Sequence, residues 1–299
     1  MSLVSFAEIR GGSVASITQA IRDSLDLINF YFEKEIKKVV IKPNMCYYWD
    51  YSTGQTTDPK FVAALIHILR EKTSVNDIAI VESDASAMKC KYAFSFLGYE
   101  KLFQDHDTRL INLSQEESEN VTVPCKGQSY SFQIPRIIRN ADVRINLPKI
   151  KFTMKGIELT CAMKNIFGVN PYPRKYEYHS QLGNVIVALN KAMNFDLCII
   201  DGNIVSGVQP RKLGLVMASR DPVAIDAAAA RVAGINPGKI KYLRLANKEG
   251  LGNMNFIEKG ASLTKFKSMY PKKTLAKKLM LHGVSLAIRL KLGKRLGLG

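Results

Sequence analysis

The feature that most constrains the fold is a series of short, continuously apolar runs separated by stretches with helical periodicity. These runs are KKVVIKPN, DIAIVESDAS, ADVRINLPK, FDLCIIDGN and LGLVMAS. A strand that is buried on both faces has an unbroken apolar sequence, whereas a half-exposed strand alternates. The alternation of such strands with helices predicts an α/β protein with a mainly parallel sheet and helices on both faces.

Helix-start signals support this interpretation. Asp58 precedes Pro59, and Asp221 precedes Pro222, which predicts a capping carboxylate followed by a proline in the first helical turn. The second of these helices is expected to end at Gly234. The segment VTVPCKGQSYSFQIP, within a less regular region, predicts an inserted β-hairpin.

The charge is unevenly distributed along the chain. The formal net charge is +17, and the last 35 residues, 265–299, carry ten Lys or Arg and no Asp or Glu, which leaves +7 for residues 1–264. We therefore predict a single α/β domain over 1–264 and a basic amphipathic C-terminal helix in 265–299. Such a helix suits an anionic membrane surface, with docking on the body or on a partner as the alternative. The scarcity of aromatic residues in this tail argues against nucleic acid as the partner.

Several classes of protein lack support. No apolar stretch is long enough to span a membrane, and the N-terminus does not have the pattern of a secretory signal. The expected location is therefore the cytoplasm, or the inner face of the membrane if the tail binds lipid. The five cysteines are scattered without a C-x-x-C pair, which argues against a disulfide framework and an iron–sulfur cluster.

Polar and charged residues follow almost every predicted strand. In an open parallel sheet, ligands bind beyond the carboxyl ends of the strands, so these side chains are expected to converge on a crevice. In the stretch LPKIKFTMKGIELTCAMKNIFG, the lysines are Lys149, Lys151, Lys155 and Lys164. Lysine is rarely buried without a partner, so the first two are expected to face this crevice. The residues at the strand ends are Lys42, Asn44, Glu82, Ser83, Asp84, Lys149, Lys151, Asp201, Asn203, Arg220 and Asp221.

Three kinds of chemistry remain open for these residues. Lysines suit a phosphate or carboxylate group, and carboxylates at neighbouring strand ends suit a divalent cation such as Mg²⁺. The pKa of a lysine is lowered in a cleft from which water is partly excluded, and its neutral amine can act as a base or as a Schiff-base nucleophile. The alternatives are structural: Asp221 as a helix cap, Asp226 as a partner of the helix dipole, and the lysines and acids as an ion network.

The loop NMCYYWDYSTGQTTD follows Lys42 and is longer than most strand-to-helix connections. It contains Tyr47, Tyr48, Trp49 and Tyr51. We expect a lid with a stacking surface, because the loop starts at the edge of the crevice. The alternative is a loop that packs its aromatic side chains on the body.

Six motifs in order, VVIKPN, LPKIK, AMKNIFG, His179, IIDGN and SRDPVAID, resemble the family catalogued as domain of unknown function 362. The resemblance runs from about residue 3 to residue 250. It implies an α/β protein of bacteria and archaea, in a family in which some members are fused to ferredoxin-like iron–sulfur segments. This chain has no cysteine-rich segment of that kind, so the resemblance does not imply a cluster here.

These observations predict an enzyme that binds a small anionic substrate in a crevice lined by Lys and Asp. The alternatives are a non-catalytic redox-partner module and an adaptor that is recruited to membranes by its tail. The expected substrate-binding residues are Lys42, Asn44, Lys149, Lys151 and Asn165. The expected catalytic residues are His179, Lys164, Asp201 and Asp226. The expected metal ligands, if a cation binds, are Glu82, Asp201 and Asp226.

Overall fold

An eight-stranded sheet forms the centre of the molecule. The structure is a computed structural model, and it describes residues 1–153, 157–207 and 209–272. The strands are β1 (Ser2–Glu8), β2 (Lys38–Pro43), β3 (Asp77–Glu82), β4 (Arg109–Asn112), β5 (Ser118–Cys125), β6 (Gln128–Pro135), β7 (Val143–Leu147), β8 (Lys151–Phe152), β9 (Leu159–Thr160), β10 (Leu197–Val205), β11 (Arg211–Ser219) and β12 (Phe256–Gly260). The helices are α1 (Val14–Leu27), α2 (Pro59–Lys72), α3 (Cys90–Phe96), α4 (Tyr99–His106), α5 (Arg136–Arg139), α6 (Ala162–Ile166), α7 (Leu182–Met193), α8 (Pro222–Val232), α9 (Lys241–Lys248) and α10 (Leu263–Met269).

The strand order in the large sheet is β12-β1-β11-β10-β7-β2-β3-β4. Strand β11 runs antiparallel to both of its neighbours, and all the other neighbouring pairs are parallel. The prediction of a mainly parallel sheet is therefore confirmed. The antiparallel strand overturns one detail: Arg220 and Asp221, which follow β11, lie at the opposite edge from the ends of the parallel strands. There Ser2, at the start of β1, donates its hydroxyl to Asp221 Oδ2 at 2.6 Å.

Proline ends two strands as predicted, but glycine does not end β10. Strand β2 ends at Pro43, and β7 stops immediately before Pro148. Strand β10 continues through Gly202 to Val205, with a bulge after Gly202. A Cβ at position 202 would lie 2.8 Å from the carbonyl oxygen of Leu215, so glycine serves close packing against β11 there. Asp201 consequently lies inside the strand and not at its end.

Helices cover both faces of the sheet, and each face has its own apolar core. Val39 and Ile41 of β2 pack with α1–α4, whereas Val40, between them, packs with the helices from α5 to α10. This alternation follows from the two-residue period of a strand, and it explains why β2 is apolar throughout. The predicted arrangement of a sheet between two helical layers is confirmed.

The inserted hairpin consists of β5 and β6, which form a separate two-stranded sheet. Its turn is Lys126-Gly127, with φ of 53° and 72°. Positive φ at both turn residues suits the tight turns whose twist matches that of paired strands. The hairpin packs against α7 and belongs to the same apolar core as that helix.

The predicted helix caps are also confirmed. Asp58 accepts from the amide of Lys60 at the start of α2, and Asp221 accepts from two amides at the start of α8. Of the predicted tail, the first part packs on the body, because Phe266 and Tyr270 are buried in the core. The remainder, from residue 273, lies outside the described residues. Within the described ranges, no helix has the length and apolar character needed to cross a bilayer.

Candidate active site: a buried lysine cluster

Two of the predicted strand-end lysines are fully buried, and each forms an ion pair. Lys42, at the carboxyl end of β2, lies 2.7 Å from Glu82 Oε2, and the two side chains are 1% and 3% exposed. Lys149, just after β7, lies 3.0 Å from Asp201 Oδ2. Each ammonium also donates to a backbone carbonyl at 2.7 Å. Both pairs are neutral overall, so these two lysines add no net charge to the site.

A network of side-chain amides connects the strands at this edge. Asn44 donates to Asn165 Oδ1, and Asn165 donates to Asn146 Oδ1, both at 2.8 Å. Asn165 also donates to the carbonyl of Lys42, and Asn146 donates to that of Ala162. The network fixes α6 against β2 and β7, and it brings Asn44 and Asn165 together.

Three further lysines lie beside these pairs, and none of them has a carboxylate partner in the part of the chain that the structure describes. Lys151 donates to Asn44 Oδ1 at 2.8 Å and to the carbonyl of Gln55 at 2.7 Å. Lys175 donates to a hydroxyl and a carbonyl of the segment after β3. In the described part of the chain, neither of these amines nor that of Lys164 has an Asp or Glu oxygen within 4 Å. We call Lys42, Lys149, Lys151, Lys164 and Lys175 the lysine cluster; its buried positive charge exceeds the negative charge paired with it.

Lys164 differs from the other four lysines because it is half-buried and forms no hydrogen bond with the residues described. Its amine lies 4.6 Å from the centre of the Phe167 ring. Burial, followed by the charge of Lys151, lowers the pKa of Lys164 to about 8. Burial likewise lowers the pKa of Lys175 to about 8. Close to neutral pH, an amine of this kind exists in part as the free base that can accept a proton or attack a carbonyl group.

The segment after β9 positions Lys164 above the sheet edge. Asp226, fully buried in α8, accepts from the amides of Ala162 and Met163, at the first turn of α6. A carboxylate at this end of the helix is favoured by the free amides and by the helix dipole. Through these contacts Asp226 positions the helix that carries Lys164, and the catalytic role predicted from the sequence stays a prediction.

Gly168, in the turn after α6, allows the backbone to approach the Lys42–Glu82 pair. A Cβ at this position would lie 2.9 Å from Glu82 Oε1 and 3.1 Å from Lys42 Nζ. The carbonyl of Gly168 also accepts a hydrogen bond from Ser83 Oγ. The glycine of the AMKNIFG motif is therefore explained by close packing above a buried ion pair.

The predicted metal ligands do not form one site. Glu82 pairs with Lys42, Asp201 pairs with Lys149, and Asp226 binds the start of α6. Asp201 also accepts from the amides of residues 58 and 203. Among the described residues, no three His, Cys, Asp or Glu side chains are grouped so that they could hold a metal ion. The expectation of a shared cation site is corrected because separate partners hold each of these carboxylates.

His179 lies in a short 3₁₀ segment before α7, next to the lysine cluster. Burial, and then the positive charge of Lys164, lowers the pKa of His179. The imidazole is therefore neutral at pH 7 and able to accept a proton. The acid–base role of His179 stays a prediction.

The aromatic loop after β2 packs one of its rings on the body of the protein. Tyr47, Tyr48 and Trp49 are exposed, and the ring of Tyr48 packs edge-on against Phe96 with centroids 5.6 Å apart. The loop contributes backbone to the lysine cluster, because the carbonyl of Gln55 accepts from Lys151. The stacking lid stays a prediction, and for Tyr48 the structure shows the alternative, packing on the body.

Sequence reasoning missed two residues of the site. Lys175 lies in a polar segment with no strand or motif beside it, although it is only four positions from His179. Cys46 is half-buried and interacts electrostatically with Lys151. The position of Cys46 two residues after Asn44 was the only available signal. Lys155 lies outside the described residues.

The chain is 26% identical over 237 residues to a thylakoid-associated protein of Synechocystis sp., a match that covers 74% of this chain and 70% of that relative. The structure of the present chain is similar to that of the lactate racemase apoprotein from Thermoanaerobacterium thermosaccharolyticum, with a TM-score of 0.49 and 11% identity. That match covers 79% of this chain and 58% of the racemase chain. The family model described as Domain of unknown function (DUF362) matches residues 39–231, which is more than half of the sequence. The chain is therefore a member of the DUF362 family.

Proposed function

We propose that this protein is an enzyme that binds a small substrate bearing a carboxylate or a phosphate at the lysine cluster. Lys164 serves as its proton-transferring or nucleophilic amine. The observation that carries the proposal is the unbalanced charge of the cluster. Lys151, Lys164 and Lys175 have no carboxylate partner among the described residues.

The energetic argument starts from the cost of burying charge. Removing an ammonium from water costs several kcal/mol after relaxation, unless an opposite charge offsets it. Glu82 and Asp201 offset Lys42 and Lys149. An anionic ligand would offset the remaining charge and would form charge-assisted hydrogen bonds with the amines.

The role proposed for each residue of the site follows from its position and its hydrogen bonds. Lys151 and Lys175, both held in place by hydrogen bonds, bind the anionic group of the substrate. Lys164, which has no hydrogen bond within the described residues, is the amine that reaches the reacting group. His179 is the second proton carrier because its imidazole is neutral and lies beside Lys164. Asp226 holds α6 in place.

A trapping experiment tests this proposal. Glyoxylate, a carboxylate that bears an aldehyde, condenses with a neutral amine with loss of water, and cyanoborohydride reduces the resulting imine to a stable secondary amine. At pH 7.5 we expect Lys164 to be labelled at least about tenfold faster than the exposed Lys34, because a larger fraction of Lys164 is neutral. Peptide mapping by mass spectrometry gives the rates.

Glycolaldehyde, which is similar in size but uncharged, is the matched reagent. If the cluster binds anions, the preference for Lys164 over Lys34 is larger with glyoxylate than with glycolaldehyde, and malonate suppresses it. Equal labelling of the two lysines would refute the reactive amine. Equal preference with both aldehydes would refute the anion site.

We also propose that the chain associates with an anionic membrane surface through residues 265–299. The ten basic residues of this segment, with no acidic residue, support the proposal. So does the relative in Synechocystis sp., whose name describes it as thylakoid-associated.

A further inference from the structure

A second basic site lies in a cavity of about 540 Å³ between the hairpin turn, the start of α7 and α9, and it adjoins the lysine cluster at His179. Lys241, Arg244 and Lys248 line it from α9, at positions that share one helical face. Lys126 contributes from the turn between β5 and β6, and His179 lies at the edge that adjoins α7. We call this the basic cavity.

The lysines and the arginine of the basic cavity form no ion pair with any described residue. Within the described ranges, no carboxylate oxygen lies within 4 Å of the charged groups of Lys126, Lys241, Arg244 or Lys248. The neighbouring Glu249 is already engaged, since it pairs with Lys191 at 2.5 Å and accepts the backbone amide of residue 126. The cavity therefore concentrates positive charge, and among the described residues Glu249 offsets part of it through its electrostatic interaction with Lys248.

The start of α7 adds to this positive potential. Gln181, Leu182 and Gly183 line the cavity, and Gln181, at the N-cap, makes no side-chain capping hydrogen bond. The N-terminal turn of a helix favours anions through its amides and its dipole. The cavity thus combines four cations with the start of a helix whose N-cap side chain does not cap it.

We propose that the basic cavity binds a small molecule that carries two or more phosphate groups. Several cations that line one cavity match the charge of a multiply charged anion better than they match the charge of a single carboxylate. The volume falls within the range of pockets that enclose small ligands. This inference does not rest on the chemistry proposed for Lys164.

Calorimetric titration of the full chain with inorganic pyrophosphate, at constant ionic strength, tests the inference. The double variant Lys241→Gln/Arg244→Gln should bind pyrophosphate at least about tenfold more weakly than the wild type. The matched control is Lys34→Gln/Lys91→Gln, which removes the same charge from exposed lysines outside the cavity. Unchanged affinity in the cavity variant, or an equal loss in the control, would overturn the proposal.

Two further measurements distinguish the basic cavity from the lysine cluster and a free phosphate compound from a lipid headgroup. Binding that persists in Lys164→Gln supports the inference, and binding that depends on Lys164 instead of on Lys241 and Arg244 overturns it. A lipid phosphate is tested with phosphatidylglycerol vesicles. If the cavity variant loses vesicle binding while free pyrophosphate never binds the wild type, the assignment to a small molecule is wrong.

Discussion

At the scale of single residues, burying the ion pair between Lys149 and Asp201 costs a large desolvation free energy. The stability of the fold therefore depends on both partners being present. The two side chains are 1% and 0% exposed. Desolvation can cancel the attraction within such a pair, so the pair itself contributes little net stability. Removing one partner is different, because the other charge then remains buried without compensation.

The first prediction concerns this pair. Lys149→Met should lower the free energy of unfolding by about 3–5 kcal/mol, because Asp201 is left buried and unpaired. Adding Asp201→Asn should restore part of the loss, since it removes the uncompensated charge. Urea denaturation provides the measurement. As a control, Lys89→Met breaks the exposed pair with Asp84 and should cost less than about 1 kcal/mol; equal costs for the two single variants would contradict the argument.

The second prediction concerns Asp226 and pH. Burial raises the pKa of Asp226 to about 7 from an ordinary value of 3.8. Between these values the folded protein holds a proton that the unfolded chain has released. This group therefore makes the free energy of unfolding fall as the pH rises from about 4 to about 7, by a total on the order of 4 kcal/mol.

Comparison with Asp226→Asn isolates this contribution. The stability of the wild type relative to the variant should be greatest near pH 4 and should decline towards pH 7. Chemical denaturation at several pH values measures the difference. Parallel stability curves for the two proteins would show that Asp226 has the same pKa in the folded and unfolded states.

At the scale of elements, the direction of one strand decides which polar residues share an edge. Strands β2 and β7, whose carboxyl ends carry Lys42 and precede Lys149, run parallel to their neighbours in the sheet. Strand β11 runs in the opposite direction. Asp221 consequently serves the opposite edge, where it accepts from the amides of Val223 and Ala224 and from that of Asn253.

The third prediction follows from this placement. Asp221→Ala should lower the free energy of unfolding by about 2 kcal/mol, because α8 loses its cap and the Asn253 amide loses its acceptor. Asp221→Asn, which keeps one acceptor oxygen, should lose less. Glyoxylate labelling of Lys164 in the folded proteins should match that of the wild type. A selective loss of labelling in a stable Asp221 variant would mean that the two edges are coupled.

At the scale of the whole molecule, the basic charge is concentrated towards the C-terminus. Of the net +17, ten positive charges lie in residues 265–299. The beginning of this segment belongs to the packed body, since Phe266 and Tyr270 are buried. The residues that would contact lipid in the membrane proposal are therefore those from residue 273 onwards.

The fourth prediction tests that proposal with vesicles of phosphatidylglycerol and phosphatidylcholine. The full chain should float with the anionic vesicles, and a chain ending at Lys272 should float at least about tenfold less. Raising the salt concentration should weaken the binding, because exposed charges are screened. Equal flotation of both chains would exclude the tail as the membrane-binding segment.

The sequence alone determined the layered architecture of this protein. Apolar runs such as KKVVIKPN specify strands that are buried on both faces, and Asp58-Pro59 and Asp221-Pro222 specify where helices begin. These signals are local: hydrophobic period, backbone restriction at proline and a side chain that caps nearby amides. They can be interpreted without knowing where the rest of the chain lies.

Only the tertiary structure decided which charges are paired. Lys42 meets Glu82 from 40 positions away, Lys151 meets Asn44 from 107, and Asp226 holds the start of α6 from 64. Nothing in the sequence distinguishes Lys149, which has a carboxylate partner, from Lys151, which has none among the described residues. The energy of a buried charge depends on every group within a few ångströms, and those groups come from strands and loops that only the folded chain brings together.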